Sequence, residues 1–378
     1  MSTIFVLAGE ASGDLLGSHL ISALNRQASH LNIWGVGGPK MRQEKFSSYL
    51  PMEEFQLMGF RQILLHFPTV IKQFLMLRNK ILKERPDAVV LIDYPGFNLR
   101  LAKSLRKKGY KGKIIHYVSP TVWVYGKGRI KTLADHYDLL LTVLPFEPPL
   151  YSHTNLKTIY VGSPVVESVK KYQLNPTPLN LQNEKKLLAL FPGSRRFEIE
   201  NNFSLQLRVA KELLPNYQVA VSCSQPQYLH LIEEKIKECG LENHATIVEG
   251  EDTYPLMEAC DLALAKSGTV TLELAMFHKP TAVVYQVDAF NRFVAKNILR
   301  LNITHVALAN IIAGKTVQPE FVLEPFTEEE LTQTVKNLAL DESARQKCLE
   351  GYQEVEKKLG DQMASETAAK AIKEVMSI

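Results

Sequence analysis

Glu10 and Asp93 each stand where a short apolar run gives out: IFVLAG (4–9) leads into AGEASGD, and AVVLID (88–93) ends at Asp93, ahead of Tyr94-Pro95-Gly96. A carboxylate at the C-terminal edge of a parallel strand points into the crevice where such sheets bind ligands, the place a general base would be needed. The plainer alternative for Asp93 is capping of a turn, a common use of Asp before such a loop. Asp14, four residues beyond Glu10, reads as a helix-start residue rather than a catalytic one.

The second half carries two strand–turn–helix motifs suited to an anion. In AKSGTVTLELAM (265–276) a buried strand ends at Ser267-Gly268 and a helix follows, with Ser267 as the expected N-cap. Free amides of the first turn, around Gly268 and Thr269, and the helix dipole favour a diphosphate there. Glu273, about two turns in, could accept hydrogen bonds from two ribose hydroxyls. The alternative is an ordinary connection with a solvated Glu. In FPGSRRFEIE (191–200) the tight Pro192-Gly193-Ser194 turn offers its amides, and Arg195 or Arg196 offers a guanidinium fork for phosphate or base. No Walker pattern is present, and GVGGPK (35–40) lacks dinucleotide-fingerprint spacing, which disfavours a conventional NTPase or dehydrogenase.

Neither a metal nor another cofactor is indicated. The ten histidines form no H-x-x-x-H or other ligand cluster, and no D-x-D pair is available to hold a divalent ion on a diphosphate. The four cysteines (Cys223, Cys239, Cys260, Cys348) make no C-x-x-C pair, which fits free thiols in a reducing cytosol.

The elements that must position these residues alternate strand and helix twice over. Strands are expected at 4–9, 32–38, 88–93, 113–119, 139–145 and 158–162, with helices from about Asp14 to Arg26 and over 99–109. A polar stretch (175–186) breaks the pattern. It restarts with strands at 187–194, 218–224, 245–250, 261–268 and 281–287, and the segment 327–376 reads as helical throughout. The expected fold is α/β, two Rossmann-like domains facing across a cleft, with C-terminal helices.

Charge divides unevenly along this frame. Residues 1–180 carry 23 Lys and Arg against 12 Asp and Glu, while 181–378 carry 21 against 28. A basic half suggests one lobe facing an anionic surface or ligand, although a solvated lysine face is the simpler reading of any one run. No apolar stretch is long enough to span a bilayer, and the N-terminus reads as strand rather than signal peptide. Residues 59–85 are basic and amphipathic. Ile71, Phe74, Leu75, Leu77, Ile81 and Leu82 fall at helical spacing, the pattern of a helix packed on the sheet or, less commonly, of one lying in a membrane interface. The dense patch of Phe60, Ile63, Leu64, Leu65 and Phe67 beside Arg61 reads as a membrane or acyl-chain contact.

As an ordered set, AGEASGD (8–14), GVGGPKM (35–41), MGF (58–60), LIDYPGFN (91–98), HYVSPTVW (116–123), LPFE (144–147), VGSP (161–164), FPGSR (191–195), SGTVTLE (267–273) and NIIAG (310–314) resemble the lipid-A-disaccharide synthases, inverting glycosyltransferases of the GT-B type. The resemblance covers nearly the whole chain, and no single element would be specific alone. It implies transfer from UDP-2,3-diacylglucosamine to 2,3-diacylglucosamine 1-phosphate, giving the β-1,6-linked lipid A disaccharide 1-phosphate and UDP in lipopolysaccharide biosynthesis. It also implies an acceptor- and membrane-facing domain over 1–168, completed by a helix at about 350–378, and a nucleotide-sugar-binding domain over 169–349. Asp93 matches the family's proposed base, and Glu10 an acceptor-side acid that is a rival base or an orienting group. Gly193, Ser194, Arg195, Ser267, Gly268, Thr269, Glu273 and Asn310 match the donor site, while Phe60, Arg61, Leu64 and Phe67 fall to the acceptor and membrane. The implied location is cytoplasmic, peripheral on an anionic inner-membrane face. Nucleic acid is not expected as a partner, and oligomeric state stays open, a homodimer included.

Two departures stand out. Gly96 replaces an acid frequent in the family, and Leu323 stands where a Gln is common, so that a donor contact is lost or supplied by Gln318 or Gln286. A UDP-sugar epimerase of the same fold and a non-catalytic, membrane-peripheral nucleotide or lipid binder remain as alternatives; neither would use every feature above.

Overall fold

A computed structural model describes residues 2–28, 30–55, 67–124, 126, 128–179, 181, 185–286, 304–322 and 324–378, without the side chains of 55, 67 and 68. The chain forms two compact units, one of residues 1–164 with 361–378 and the other of residues 165–360.

The first unit is built on seven strands: β1 (Thr3–Ala8), β2 (Asn32–Gly37), β3 (Ser47–Pro51), β4 (Ala88–Ile92), β5 (Lys113–Tyr117), β6 (Leu139–Thr142) and β7 (Lys157–Tyr160). Their order is β3-β2-β1-β4-β5-β6-β7, and every pairing is parallel. A parallel sheet covered by helices on both faces needs apolar side chains on both, which is why FVLA, AVVLI and LLL run without alternation and are fully buried. One approach is tight: at Gly35, φ +151°, a Cβ would sit 1.9 Å from the Val6 carbonyl oxygen. Glycine is required there for β2 to lie against β1.

The helix Ala364–Met376 returns to this unit and packs on the helix Ala11–Gln27. Its small face, Ala364, Ala368, Ala369 and Ala371, lets the two helices approach closely, and Glu366 accepts from Arg26 and from Gln27 Nε2 at 2.7 Å. The helix Phe67–Glu84 lies on the other face. Leu77 and Ile81 are buried there, with Phe74 and Leu82 packed beside them, as expected of a sheet-covering helix. Ile71 and Leu75 remain 42% and 39% exposed.

The second unit has β8 (Lys186–Phe191), β9 (Tyr217–Cys223), β10 (Ala245–Glu249), β11 (Leu262–Lys266), β12 (Thr281–Val284) and β13 (Glu320–Phe321), ordered β10-β9-β8-β11-β12-β13 and again parallel. Both sheets are therefore doubly wound. Strand order reverses direction between β1 and β4 in one and between β8 and β11 in the other, and these are the positions at which such sheets bind ligands.

The strands β3 and β13 go beyond the sequence expectation. In β3, Ser47, Ser48 and Tyr49 are exposed at the sheet edge, so no apolar run announces it, and β13 is only two residues long. The C-terminal segment forms the expected helices, three in number: Glu328–Leu340, Glu342–Leu359 and Ala364–Met376. Asp341 caps the second by accepting from the Ser343 amide at 2.9 Å. Gly360, φ 69°, ends it.

Candidate active site

In the first unit the switch point carries the two carboxylates. Glu10 follows β1 and is exposed; Asp93 follows β4 and is half-buried. The backbone at Asp93 is unusual. Asp93 and Tyr94 both have φ 47°, and on the neighbouring strand's end Val118 has φ 76°. A β-branched residue there is a genuine outlier, and such strain persists only where the surroundings over-determine it. The surroundings here are specific. The Asp93 amide donates to the Tyr117 carbonyl at 2.8 Å, and buried Asn98 donates through Nδ2 to the carbonyls of Asp93 (2.6 Å) and Ile92 (3.2 Å). Asn98 of IDYPGFN thus holds the turn that presents the carboxylate.

Burial, and after it the negative charge of Glu10, raise the Asp93 pKa, with the Tyr94 amide opposing. The Asp93 carboxylate therefore senses the charge of Glu10. Gly96 has nothing within 4 Å of where a Cβ would be, so the side chain missing there is not excluded by crowding. Asp14 is not at the site: its buried carboxylate accepts the amides of Gly38 (2.8 Å), Lys40 (2.9 Å) and Met41 (3.0 Å), capping the short helix Pro39–Arg42.

Beyond β5 and β6 lies a further buried acid. Glu147 is 1% exposed and accepts the Leu144 amide at 3.1 Å. Burial pushes its carboxyl up to about 7, opposed by the amides of Leu144 and Val143. Beside it Phe146 meets Trp123 edge-on at 5.5 Å, and Tyr151 shares a 2.8 Å hydrogen bond with Ser119.

In the second unit the switch point is a cavity of about 250 Å³ between the ends of β8 and β11. It is lined by Gly193, Ser194, Gly268, Thr269 and Glu273 of the expected donor residues, together with Glu198, Lys266 and Thr253. Gly193 has φ +124°, and a Cβ there would lie 2.7 Å from Glu198. The turn's carbonyls are tied back to the end of β9: Ser224 Oγ donates to Gly193 O at 3.4 Å and Gln225 Nε2 to Ser194 O at 3.1 Å. The Ser194 amide is committed to Glu198 Oε2 at 3.0 Å. Glu273 accepts from the Tyr254 hydroxyl at 3.1 Å, and burial raises its pKa against that bond.

Several sequence expectations shift. Gly268, not Ser267, is the N-cap of the helix Thr269–Met276; Ser267 is buried and its Oγ lies 3.5 Å from the Val306 carbonyl. Glu273 is the fifth residue of that helix, so it stands little more than one turn in. Arg195 is exposed at the start of the helix Arg196–Lys211, outside the cavity lining. Asn310 is wholly buried: its Oδ1 accepts the amides of Val317 and Gln318, both at 2.8 Å, and its Nδ2 donates to Gln318 O. Gln318 in turn donates to Thr271 O at 2.8 Å, and Gln286 is exposed. Phe60, Arg61, Leu64 and Leu323 lie outside the described residues, as does the side chain of Phe67.

The pair of part-buried Lys266 and buried Glu198 lies beyond the sequence expectation. Its one sequence signal is a lysine closing the apolar run LALAK immediately before Ser267-Gly268. Among the described residues no group of three or more His, Cys, Asp or Glu is placed to hold a metal ion, and no helix is long and apolar enough to cross a membrane.

Two doubly wound units, each with a polar switch point, define the GT-B type of α/β fold. The Neisseria meningitidis UDP-GlcNAc 2-epimerase, solved bound to UDP-GlcNAc, shares it with a TM-score of 0.64 over 99% of this chain and 100% of that one, at 14% identity, a likeness of fold alone. Within that class the family is specific: the Lipid-A-disaccharide synthetase family matches residues 4–375, and the chain belongs to it. The Lipid-A-disaccharide synthase of Paramagnetospirillum magneticum is 35% identical over 94% of this chain and 93% of its own length. That of Chlamydia pneumoniae is 40% identical over 84% of this chain, which spans only 53% of the chlamydial protein.

Proposed function

We propose that this chain is a metal-independent inverting glycosyltransferase that joins UDP-2,3-diacylglucosamine to 2,3-diacylglucosamine 1-phosphate, releasing UDP and the β-1,6-linked disaccharide 1-phosphate of lipid A biosynthesis. The observation that carries this reading is that the two sheets offer complementary chemistry at equivalent topological positions. One switch point holds paired carboxylates, the other a cavity at a helix start.

In this reading Asp93 takes the proton of the acceptor's 6-hydroxyl as that oxygen attacks the donor's anomeric carbon. The bond from that carbon to the diphosphate breaks on the opposite face, and UDP leaves. A base is most effective when its pKa lies near the working pH, and burial with Glu10 beside it moves Asp93 in that direction. Glu10, exposed, orients the acceptor. The turn Gly193-Ser194, the helix start at Gly268-Thr269 and Glu273 hold the nucleotide, with Glu273 on the ribose. Arg195 reaches the nucleotide from its exposed position, while Ser267 and Asn310 act by bracing the cavity wall. Exposed Ile71 and Leu75, with Lys72 and Lys83 exposed on the same helix, support contact with an anionic membrane surface, to which the sequence also assigns Phe60, Arg61, Leu64 and Phe67. The location proposed is the cytoplasmic face of the inner membrane.

The fold is shared with a UDP-sugar epimerase, so the decisive test separates transfer from epimerisation. Purified protein is incubated in EDTA with the donor, with and without the acceptor phosphate. Disaccharide and UDP formed only when both are present, and lost in Asp93→Asn, are expected. Epimer from the donor alone, or an unchanged rate in Asp93→Asn, would sink the proposal.

A further inference from the structure

Lys266 closes β11 and lines the cavity beside the helix start. Its Nζ pairs with Glu198 Oε1 at 2.7 Å and lies 5.1 Å from the centre of the Tyr285 ring. A Cβ built on Gly268 would stand 3.9 Å from that nitrogen, which puts the ammonium alongside the residue that opens the helix. Its one hydrogen bond among the described residues goes to Glu198, so an ammonium with three protons has donors to spare.

Glu198 does not simply cancel this charge. It is the third residue of the helix Arg196–Lys211, where the helix dipole favours an acid, and its other oxygen receives the Ser194 amide. Among the described residues lining the cavity Lys266 is the one cation; the other charged residues are Glu198 and Glu273. The chain beyond residue 180 carries 28 acids against 21 bases, so a diphosphate entering this cavity meets no general positive field. A buried ion pair is also weak evidence for stability, because apolar replacements of similar volume often serve as well. Side chains only 18% and 4% exposed at the wall of a cavity call for another reason.

We propose that Lys266 binds the diphosphate of the donor directly, held in place by Glu198 and Tyr285, and completes with the Gly268-Thr269 amides the site that carries the leaving group. This rests on the nucleotide reading of the cavity above. An ammonium at that place stabilises the charge that grows on the diphosphate as the glycosidic bond breaks, work that a metal ion does in other enzymes.

The test compares UDP with uridine, which lacks the phosphates. Binding of UDP is measured by titration calorimetry and of uridine by ligand-observed NMR, for the wild type, Lys266→Met, and Lys266→Met with Glu198→Gln, the last leaving no unpaired buried charge. UDP affinity is expected to fall tenfold or more in both variants, and uridine affinity to change less than twofold. If the wild type binds UDP and the double variant binds it as tightly, or loses UDP and uridine in equal ratio, Lys266 is a strut and the proposal fails alone. If the wild type binds neither, the nucleotide reading of the cavity fails with it.

Discussion

Replacing Glu147 by Gln turns a buried acid into a measurable pH dependence. The carboxyl is 1% exposed, and burial raises it from an ordinary 4.5 to about 7 despite the amides of Leu144 and Val143. In the unfolded chain it ionises at its ordinary value. Between these two pH values the folded state holds the proton while the unfolded state has lost it, so stability falls as pH rises through the window. The full difference is about 3 kcal/mol, at ~1.4 kcal/mol per unit, and most of it is crossed between pH 5 and pH 8. Gln has no proton to release, and its carbonyl oxygen can still accept the Leu144 amide. Turning its NH2 towards the second amide costs about 1–2 kcal/mol, but equally at every pH. The stability of Glu147→Gln relative to wild type should therefore climb by about 2–3 kcal/mol from pH 5 to pH 8. Urea unfolding followed by tryptophan fluorescence reads this cleanly, because both tryptophans, Trp34 and Trp123, lie in the unit that contains Glu147. A difference between the two proteins that stays flat across that range would refute the reasoning.

Asp14→Asn should lower stability by roughly 1–3 kcal/mol in the same fluorescence assay, because an amide nitrogen would face one of the three N–H groups, two of them buried, that now donate to the carboxylate. Abolished transfer with an unmoved unfolding midpoint would instead make Asp14 catalytic. Glu10→Gln removes the negative charge that helps to raise Asp93, so the acid limb of the kcat/KM profile should move to lower pH. A limb that stays in place, or moves up, would separate Asp93 from Glu10.

How much of this was legible before any coordinates depends on how local each feature is. The strands β1, β4, β8 and β11 were readable because a strand buried on both faces must be apolar without interruption, and the turns after them announce themselves with Gly, Pro or Ser. The strand β3 was not, since its exposed serines and Tyr49 make no buried run. Motif spacing located Gly193, Gly268 and Glu273 at one cavity. It could not tell which amides were free: the Ser194 amide is taken by Glu198, a residue four positions on. Nor could it pair Glu198 with Lys266, 68 residues apart and brought together only by the β8–β11 pairing. Nor does motif spacing show that the described hydrogen bonds of Asn310 go to the backbone of Val317 and Gln318.

The strained backbone at Asp93 and the raised pKa of its carboxyl belong together. A strand that ended in an ordinary turn would leave the Ile92 and Asp93 carbonyls to solvent and let the carboxylate swing outward. Here two successive residues sit at φ 47°, and the compensation is visible: Asn98 takes both carbonyls, and Tyr137 in turn donates to Asn98 O at 2.9 Å. A left-handed pair without glycine is costly, and the chain spends three further side-chain hydrogen bonds to keep it. A turn needed only for connectivity would more simply use Gly at these positions. What Asp93 has that Gly lacks is a carboxylate, and the same turn holds that carboxylate half-buried and within the influence of Glu10. The backbone strain and the raised pKa thus have one source, the placing of an acid where neither geometry nor solvation favours it, and that is the arrangement a general base requires.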